Sequence, residues 1–351
     1  MSGRCPPPLC GCPCGFLSLH CLSAPRGRYS QPGYELVSAV CSRRHAVEPV
    51  PGGPRVFIDI HAHTTIYPRE LRPVAEKGIG NPDELVAMYD GAGIDMGCIL
   101  PATQPEPRAC IQSNEDILAA AAMFPDRLIP FCGIDPRLQN NSPDVDLSYP
   151  INHYKEKGCK GVGEITANLP IDDPRCWNLF RHAAACQMPL TFHLATRAGG
   201  CYGFIDEFGL PLLEKTLQAI PDVTFLAHSQ PFWAHISGDV SEDEWAGYPT
   251  GPVTEGGRVP ELLSRYPGLI GDLSAGSGYN AVSRDPDFGY AFLEQFQDKL
   301  CWGTDCYKSE QADGLLIQLK TFLEDGLAAG KLSQQAFDKI THQNAQRVLG
   351  L

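Results

Sequence analysis

The chain has 351 residues, 43% of them hydrophobic, which is enough for one large core with a small appendage. Its formal net charge of −13 repels phosphate backbones and anionic lipid, so nucleic acids and acidic membrane surfaces are poor partners. No apolar run approaches the roughly 20 residues needed to span a bilayer as a helix.

The first 55 residues differ from the rest. They hold nine prolines and seven glycines, a composition typical of disordered chain. Six arginines against Glu35 and Glu48 give this segment +4 and leave −17 for the remainder. The shift marks a boundary near Arg55: a Pro/Gly/Cys-rich disordered extension over 1–54, then one folded domain over 55–351. The prolines oppose the amphipathic helix of an organellar targeting peptide. Cys10, Cys12 and Cys14 are spaced C-x-C-x-C, not as the paired C-x₂-C of a zinc site. The 15 cysteines are odd in number, and several (Cys98, Cys132, Cys186, Cys301) sit in apolar runs. That suits free thiols in a reducing compartment, and the expected location is cytoplasmic.

From Val56 onward short apolar runs alternate with longer amphipathic ones. Val56–Ile60 reads as a strand. A helix follows from Asn81, with Pro82 at its first position. Gly97–Leu100 and the helix Asn114–Phe124 come next, then strand Leu128–Ile134 and a helix ending near Lys157. Strand Cys159–Ile165 precedes helix Pro174–Cys186, and strand Leu190–Leu194 precedes helix Pro211–Ile220. Strand Val223–Ala227 leads to helix Val259–Tyr266, and strand Leu269–Leu273 to helix Phe288–Phe296. Strand Leu300–Gly303, helix Ala312–Asp325 and a last helix, Ser333–Leu349, complete the chain. Eight strand–helix units predict an α/β fold of the closed (β/α)₈ TIM-barrel type. An open doubly wound sheet would need a Gly-rich phosphate turn after its first strand, and here that strand runs into His61-Ala62-His63.

Barrel enzymes place their chemistry where strands end. Strand one ends in Asp59-Ile60-His61-Ala62-His63, and period-two alternation puts Asp59, His61 and His63 on one face. Two imidazoles on one face can chelate a divalent ion. Glu164 closes strand four, His193 strand five, His228 strand six and Asp305 strand eight. A scaffold without catalysis has no need of such a convergent set.

These residues resemble the amidohydrolase superfamily in its amidohydrolase-related branch. The resemblance rests on Ile58-Asp59-Ile60-His61-Ala62-His63, Lys160-Gly161-Val162-Gly163-Glu164-Ile165, His193, His228, Trp302-Gly303-Thr304-Asp305 and Asn344-Ala345-Gln346-Arg347-Val348-Leu349. It implies a barrel holding one divalent metal, commonly zinc, with His61, His63 and His193 as ligands and Asp305 as a fourth. Glu164 matches a position that bridges two metals in some relatives and here is read as lying beside a single ion. His228 sits beside the metal. The resemblance also implies a homodimer in many members. Imidazole and carboxylate donors suit zinc or manganese, and a metal-activated water needs a proton acceptor, for which Asp305 and His228 are the candidates. The expected reaction is hydrolysis of a small carbonyl substrate (a lactone, ester or amide). The alternative is nonoxidative decarboxylation of an aromatic or unsaturated acid. Substrate contacts are expected from the loops after strands five, six and seven: Arg197 and Tyr202, Trp233 and His235, and Ser277. Asp59 is expected to orient a ligand imidazole.

Overall fold

A computed structural model describes residues 55–351 apart from 108, 110, 309, 310, 312 and 313. The predicted extension over 1–54 lies outside the described residues. In chain order the strands are β1 (Ile58–Ala62), β2 (Met96–Ile99), β3 (Leu128–Pro130), β4 (Val162–Ile165), β5 (Leu190–Ala195), β6 (Phe204–Ile205), β7 (Phe225–His228), β8 (Leu269–Asp272) and β9 (Leu300–Cys301). The helices are α1 (Pro82–Ala92), α2 (Asn114–Met123), α3 (Ser148–Glu156), α4 (Pro174–Ala185), α5 (Pro211–Ala219), α6 (Gln230–Ala234), α7 (Arg258–Arg265), α8 (Ala275–Ser283), α9 (Pro286–Gln295), α10 (Leu315–Ala328), α11 (Gln334–Asp338) and α12 (Asn344–Leu349).

Local chemistry explains where helices begin. The Asn81 side chain accepts the Glu84 N–H at 2.8 Å while the Glu84 carboxylate accepts the Asn81 N–H at 2.9 Å. This reciprocal cap, with Pro82 in the first turn, starts α1, and Gly93 at φ +69° ends it in the left-handed conformation that glycine tolerates. Ser113 and Asp116 repeat the cap on α2, and the Asp173 side chain accepts the Arg175 N–H at the start of α4.

All the strand pairs of the two ladders, β1-β2-β3 and β4-β5-β7-β8-β9, are parallel. Beyond β3, the Cys132 N–H donates to Gly161 O at 3.0 Å and the Gly163 N–H to Cys132 O at 2.8 Å, joining the ladders. At the other seam Ile60 N–H donates to Trp302 O at 3.1 Å, and Ala62 bridges Cys306. The eight strands therefore close into a TIM barrel, which leaves no open edge. The ninth, β6, lies in the loop after β5, pairs with β5 at Leu194–Phe204 and Ala195–Ile205, and bridges Pro170 through Ile205; the sequence predicts no strand there.

Ile58, Ile60, Cys98, Leu100, Ile129, Phe131, Leu226, Ile270 and Cys301 fill the barrel, with Ala345 and Leu349 of α12 in the same cluster. The Asn344 amide donates to Leu300 O and Gln297 O, so α12 covers the end where strands begin. The predicted final helix is divided by a π turn over Lys339–Gln343. The loops after β7 and β8 also differ from expectation, since they carry α6 and α8. Among the described residues no helix is long and apolar enough to cross a membrane.

Candidate active site

The mouth of the barrel is built from β1. Asp59 and His61 are fully buried and His63 nearly so. The His61 ring donates from Nδ1 to Asp272 Oδ2 at 2.7 Å, and the His63 Nδ1 donates to Leu100 O at 3.0 Å. Each ring thus presents Nε2 to the interior, and the two Nε2 atoms stand 3.2 Å apart. Two lone pairs do not face each other at that distance without a positive centre to share, either a proton or a metal ion. That spacing would let both nitrogens serve one divalent ion.

Carboxylates arrive from two further strands. Asp305, just past β9, places Oδ1 3.4 Å from His63 Nε2 and 3.7 Å from His61 Nε2. Glu164 Oε2, from β4, lies 3.8 Å from each of the same nitrogens. His61, His63 and Asp305 form one group of converging donor atoms, and Glu164, His193 and His228 form a second. His193 and His228 are register partners on β5 and β7, so their imidazoles stand side by side with centroids 5.7 Å apart. The donor chemistry of the first group, two imidazoles and a carboxylate around one point, fits a divalent ion.

Burial and charge separate the protonation states. Burial would depress His61, but the adjacent Asp272 carboxylate outweighs it and lifts the ring to about 10. Burial dominates for the other two, taking His193 down to about 3 and His228 to about 4. Burial works against an ionised Asp305, yet the His63 hydrogen bond and the His61 and His228 rings hold it well below the usual carboxylate range.

Asp272 is the residue that sequence reasoning missed. It is fully buried and takes His61 Nδ1, the role expected of Asp59. Asp59 instead accepts the His61 backbone N–H at 3.0 Å, the Tyr89 hydroxyl at 2.8 Å and both the N–H and hydroxyl of Thr304, at 2.8 and 2.5 Å. It ties β1 to the turn that carries Asp305. The available signal was a lone carboxylate inside the apolar run Leu269-Ile270-Gly271-Asp272-Leu273.

A cavity of about 230 Å³ opens over these groups, lined by His63, Glu164, His193, Tyr202 and Asp305 together with Thr166, Tyr307 and the 101–107 loop. Of the expected substrate contacts, Tyr202 is brought here, its ring 4.6 Å from that of His193. The other four are not among the lining residues. Arg197 is exposed, with its carbonyl engaged by Asn168 at 3.1 Å. Trp233 is buried and donates from Nε1 to Asp272 O at 2.8 Å. His235 spends Nδ1 on Pro231 O and accepts the Gly209 N–H on Nε2 at 3.0 Å. Ser277 is buried within α8.

Tyr202 is placed by a side chain two loops away. Asn168 accepts the Gly199 N–H at 2.7 Å and donates to Arg197 O and Gly203 O. Gly203, at φ +107°, has no room for a Cβ, which would come within 2.8 Å of His193 O. Asn168→Ala is expected to cost about 1–3 kcal/mol and to speed amide exchange across 197–203 without lowering metal content. Hydrogen-exchange mass spectrometry beside elemental analysis checks both.

A family model described as amidohydrolase matches residues 58–351. No curated protein matches the chain. Among solved structures the fold is similar to that of a probable 2-pyrone-4,6-dicarboxylic acid hydrolase from Acinetobacter baumannii with citric acid bound (15% identity, TM-score 0.52, 84% of this chain and 99% of that one). It is similar to 5-carboxyvanillate decarboxylase from Sphingomonas paucimobilis (14% identity, TM-score 0.54, 84% and 99%). A dihydroxybenzoic acid decarboxylase from a Polaromonas species, with bound manganese and the inhibitor 2-nitroresorcinol, is likewise similar (16% identity, TM-score 0.53, 85% and 97%). At these identities the likeness is one of fold.

Proposed function

The chain belongs to the amidohydrolase family of enzymes, and from that premise we propose that it hydrolyses a small lactone, ester or amide with the help of one divalent ion, zinc before manganese. The observation that carries this reading is the pair of Nε2 atoms 3.2 Å apart, with Asp305 on the same point, beneath a cavity of about 230 Å³. His61, His63 and Asp305 would hold the ion, with His193 completing the set from across the cavity and Glu164 beside it. When bound, such an ion polarises a carbonyl oxygen and makes water acidic enough to attack at neutral pH. Asp305 accepts the proton of the attacking water and returns it to the leaving group. Its Oδ2 lies 3.8 Å from His228 Nε2, and the neutral His228 ring supports the substrate's oxygen or relays that proton. Asp272 fixes the tautomer of His61. Tyr202 closes one wall against water and orients the substrate.

The second reading is decarboxylation of an aromatic or unsaturated acid. It draws on the flat wall that the Tyr202 and His193 rings offer to an aromatic ligand. One experiment separates the two. A panel of lactones, esters, amides and aromatic acids is incubated in ¹⁸O-water. Label in a product carboxyl group means hydrolysis, and release of CO₂ with unlabelled product means decarboxylation. Elemental mass spectrometry on protein purified without chelator is expected to find about one ion per chain, lost in the His61→Ala, His63→Ala double variant. Two ions would make Glu164, His193 and His228 a second metal group. No ion even after incubation with zinc and manganese would sink the mechanism.

The eight described cysteines are all free thiols and seven are buried, which supports a reducing, cytoplasmic setting. A homodimer belongs to the same reading, and sedimentation would report twice the chain mass. A chain beginning at Arg55 is expected to keep both the cooperative thermal transition and the metal. Loss of that transition would overturn the proposed boundary at 54/55.

A further inference from the structure

A second cavity lies beside the first and shares no lining residue with it. It measures about 180 Å³, about six times the volume a water molecule occupies in the liquid. Leu71, Pro73, Ile79 and Ile111 give it an apolar wall and Tyr67 an aromatic one. Its polar lining comes from Thr64, Thr65, Glu76, Gln112 and Arg72, the last between the 3₁₀ turns Arg69–Leu71 and Val74–Glu76. Arg72 is only 8% exposed. Its Nε donates to Tyr67 O at 2.7 Å and its Nη1 to Ile79 O.

Those two carbonyls leave the Nη2 amino group without a hydrogen bond to a described residue, and among the described residues no carboxylate lies within ion-pair distance of the guanidinium. Its neighbour Arg69 contrasts with it: that side chain is far more exposed and takes Glu84 at 2.8 Å. A buried guanidinium is ordinarily paired, because uncompensated burial of its charge costs several kcal/mol. Burial, with the neighbouring Arg69 charge, pulls Arg72 below its ordinary pKa against the opposing pull of Glu84, Glu70 and Glu76. Glu76 also lines the cavity, and one of its carboxylate oxygens accepts the Ala109 N–H at 2.8 Å.

We propose that this cavity binds a small carboxylic acid, its carboxylate on the open Nη face of Arg72 and its aliphatic or aromatic body between Leu71, Ile79 and Ile111. The rim supports an apolar body. Leu71, Ile111 and Tyr67 remain 75%, 52% and 46% exposed, so the cavity opens onto an apolar lip that a short chain would cover. Carboxylate–guanidinium recognition supplies direction, and the apolar wall supplies most of the buried area. The floor is Thr64 and Thr65, the residues directly after His63 on the same strand end. The site is therefore separate from the metal cavity yet built on the segment that carries one of its imidazoles.

Isothermal titration of the metal-loaded full chain with hexanoate tests this, with hexan-1-ol as the uncharged counterpart. Saturable one-to-one binding of hexanoate is expected, with the alcohol much weaker. Arg72→Gln should weaken it by on the order of ten- to a hundredfold. Ile111→Trp, at a half-exposed position, fills the cavity and should abolish binding with Arg72 intact, so it decides the question if the Arg72 variant fails to fold. Binding should survive removal of the metal, which distinguishes this cavity from the catalytic one. The proposal is overturned by no saturable binding up to about 10 mM, by equal affinity for the alcohol, by binding unchanged in Ile111→Trp, or by binding that disappears with the metal. None of these outcomes bears on the hydrolytic reading.

Discussion

Asp305→Asn is expected to lower turnover by about 10²–10⁴-fold while leaving the fold and most of the bound metal in place. Asp305 sits at φ +54°, a left-handed conformation that Asn tolerates better than any other side chain apart from Gly. The variant therefore keeps the turn that Thr304 and Asp59 anchor. The amide oxygen can still approach His61 and His63 as a weak ligand, so metal affinity should fall far less than turnover. What disappears is a carboxylate able to take a proton, which burial alone would have neutralised and the surrounding imidazoles keep ionised. His228→Ala should cost less, since His228 stands 3.8 Å from Asp305 and lies outside the donor group of His61, His63 and Asp305. The opposite ranking, with Asp305→Asn nearly active and His228→Ala dead, would transfer the role of base to His228. Metal content measured on each variant separates loss of proton transfer from loss of the ion.

The parts of this site that could be read from the sequence obey local rules. Period-two alternation placed His61 and His63 together, and the Asn81-Pro82 pair announced the start of α1 because its cap is made within four residues. Closure of the barrel followed from counting units. What could not be read depends on partners distant in the chain. Asp272 reaches His61 across 211 positions, so nothing near Asp272 reveals that its partner is an imidazole. Asp59 lies on the same face as His61, but Tyr89 and Thr304 claim its carboxylate before the ring can. Trp233, His235 and Ser277 looked available because their segments read as loops. The chain turns into α6 and α8 there, and Trp233 and His235 spend their polar atoms on Asp272, Pro231 and Gly209. Tyr202 reaches the cavity only because Asn168, some 34 positions away, folds its loop back.

Raising the pH is expected to destabilise the metal-free protein while leaving the metal-loaded form level. The proton that stands in for the ion explains this. In the metal-free chain His61 is lifted from 6.5 to about 10, because the Asp272 carboxylate outweighs the penalty of burial. A group with a raised folded pKa adds stability that is fully present below its unfolded value and is lost as pH rises through the folded one. The span from 6.5 to about 10 corresponds to about 5 kcal/mol at 1.36 kcal/mol per pH unit, a large share of the about 5–15 kcal/mol that holds a domain folded. Buried thiols such as Cys98 and Cys301, also pushed upward, add to the loss only above the ordinary thiol value of 9.0. The diagnostic range is therefore 6.5 to 9, where His61 alone should remove about 3 kcal/mol. The acid side is no test. Depressed His193 and His228 lose stability there as pH falls, whereas Asp59 and Asp206, each raised to about 6 by burial, regain it. Metal uptake must expel the same proton, so apparent affinity should climb about tenfold per pH unit between about pH 7 and pH 9. Urea denaturation of both forms across that range, with calorimetry in buffers of different ionisation enthalpy, measures the loss and the released proton. A metal-free protein of constant stability from pH 6.5 to 9 would mean that no proton bridges His61 and His63, and that the 3.2 Å approach of their nitrogens has some other cause.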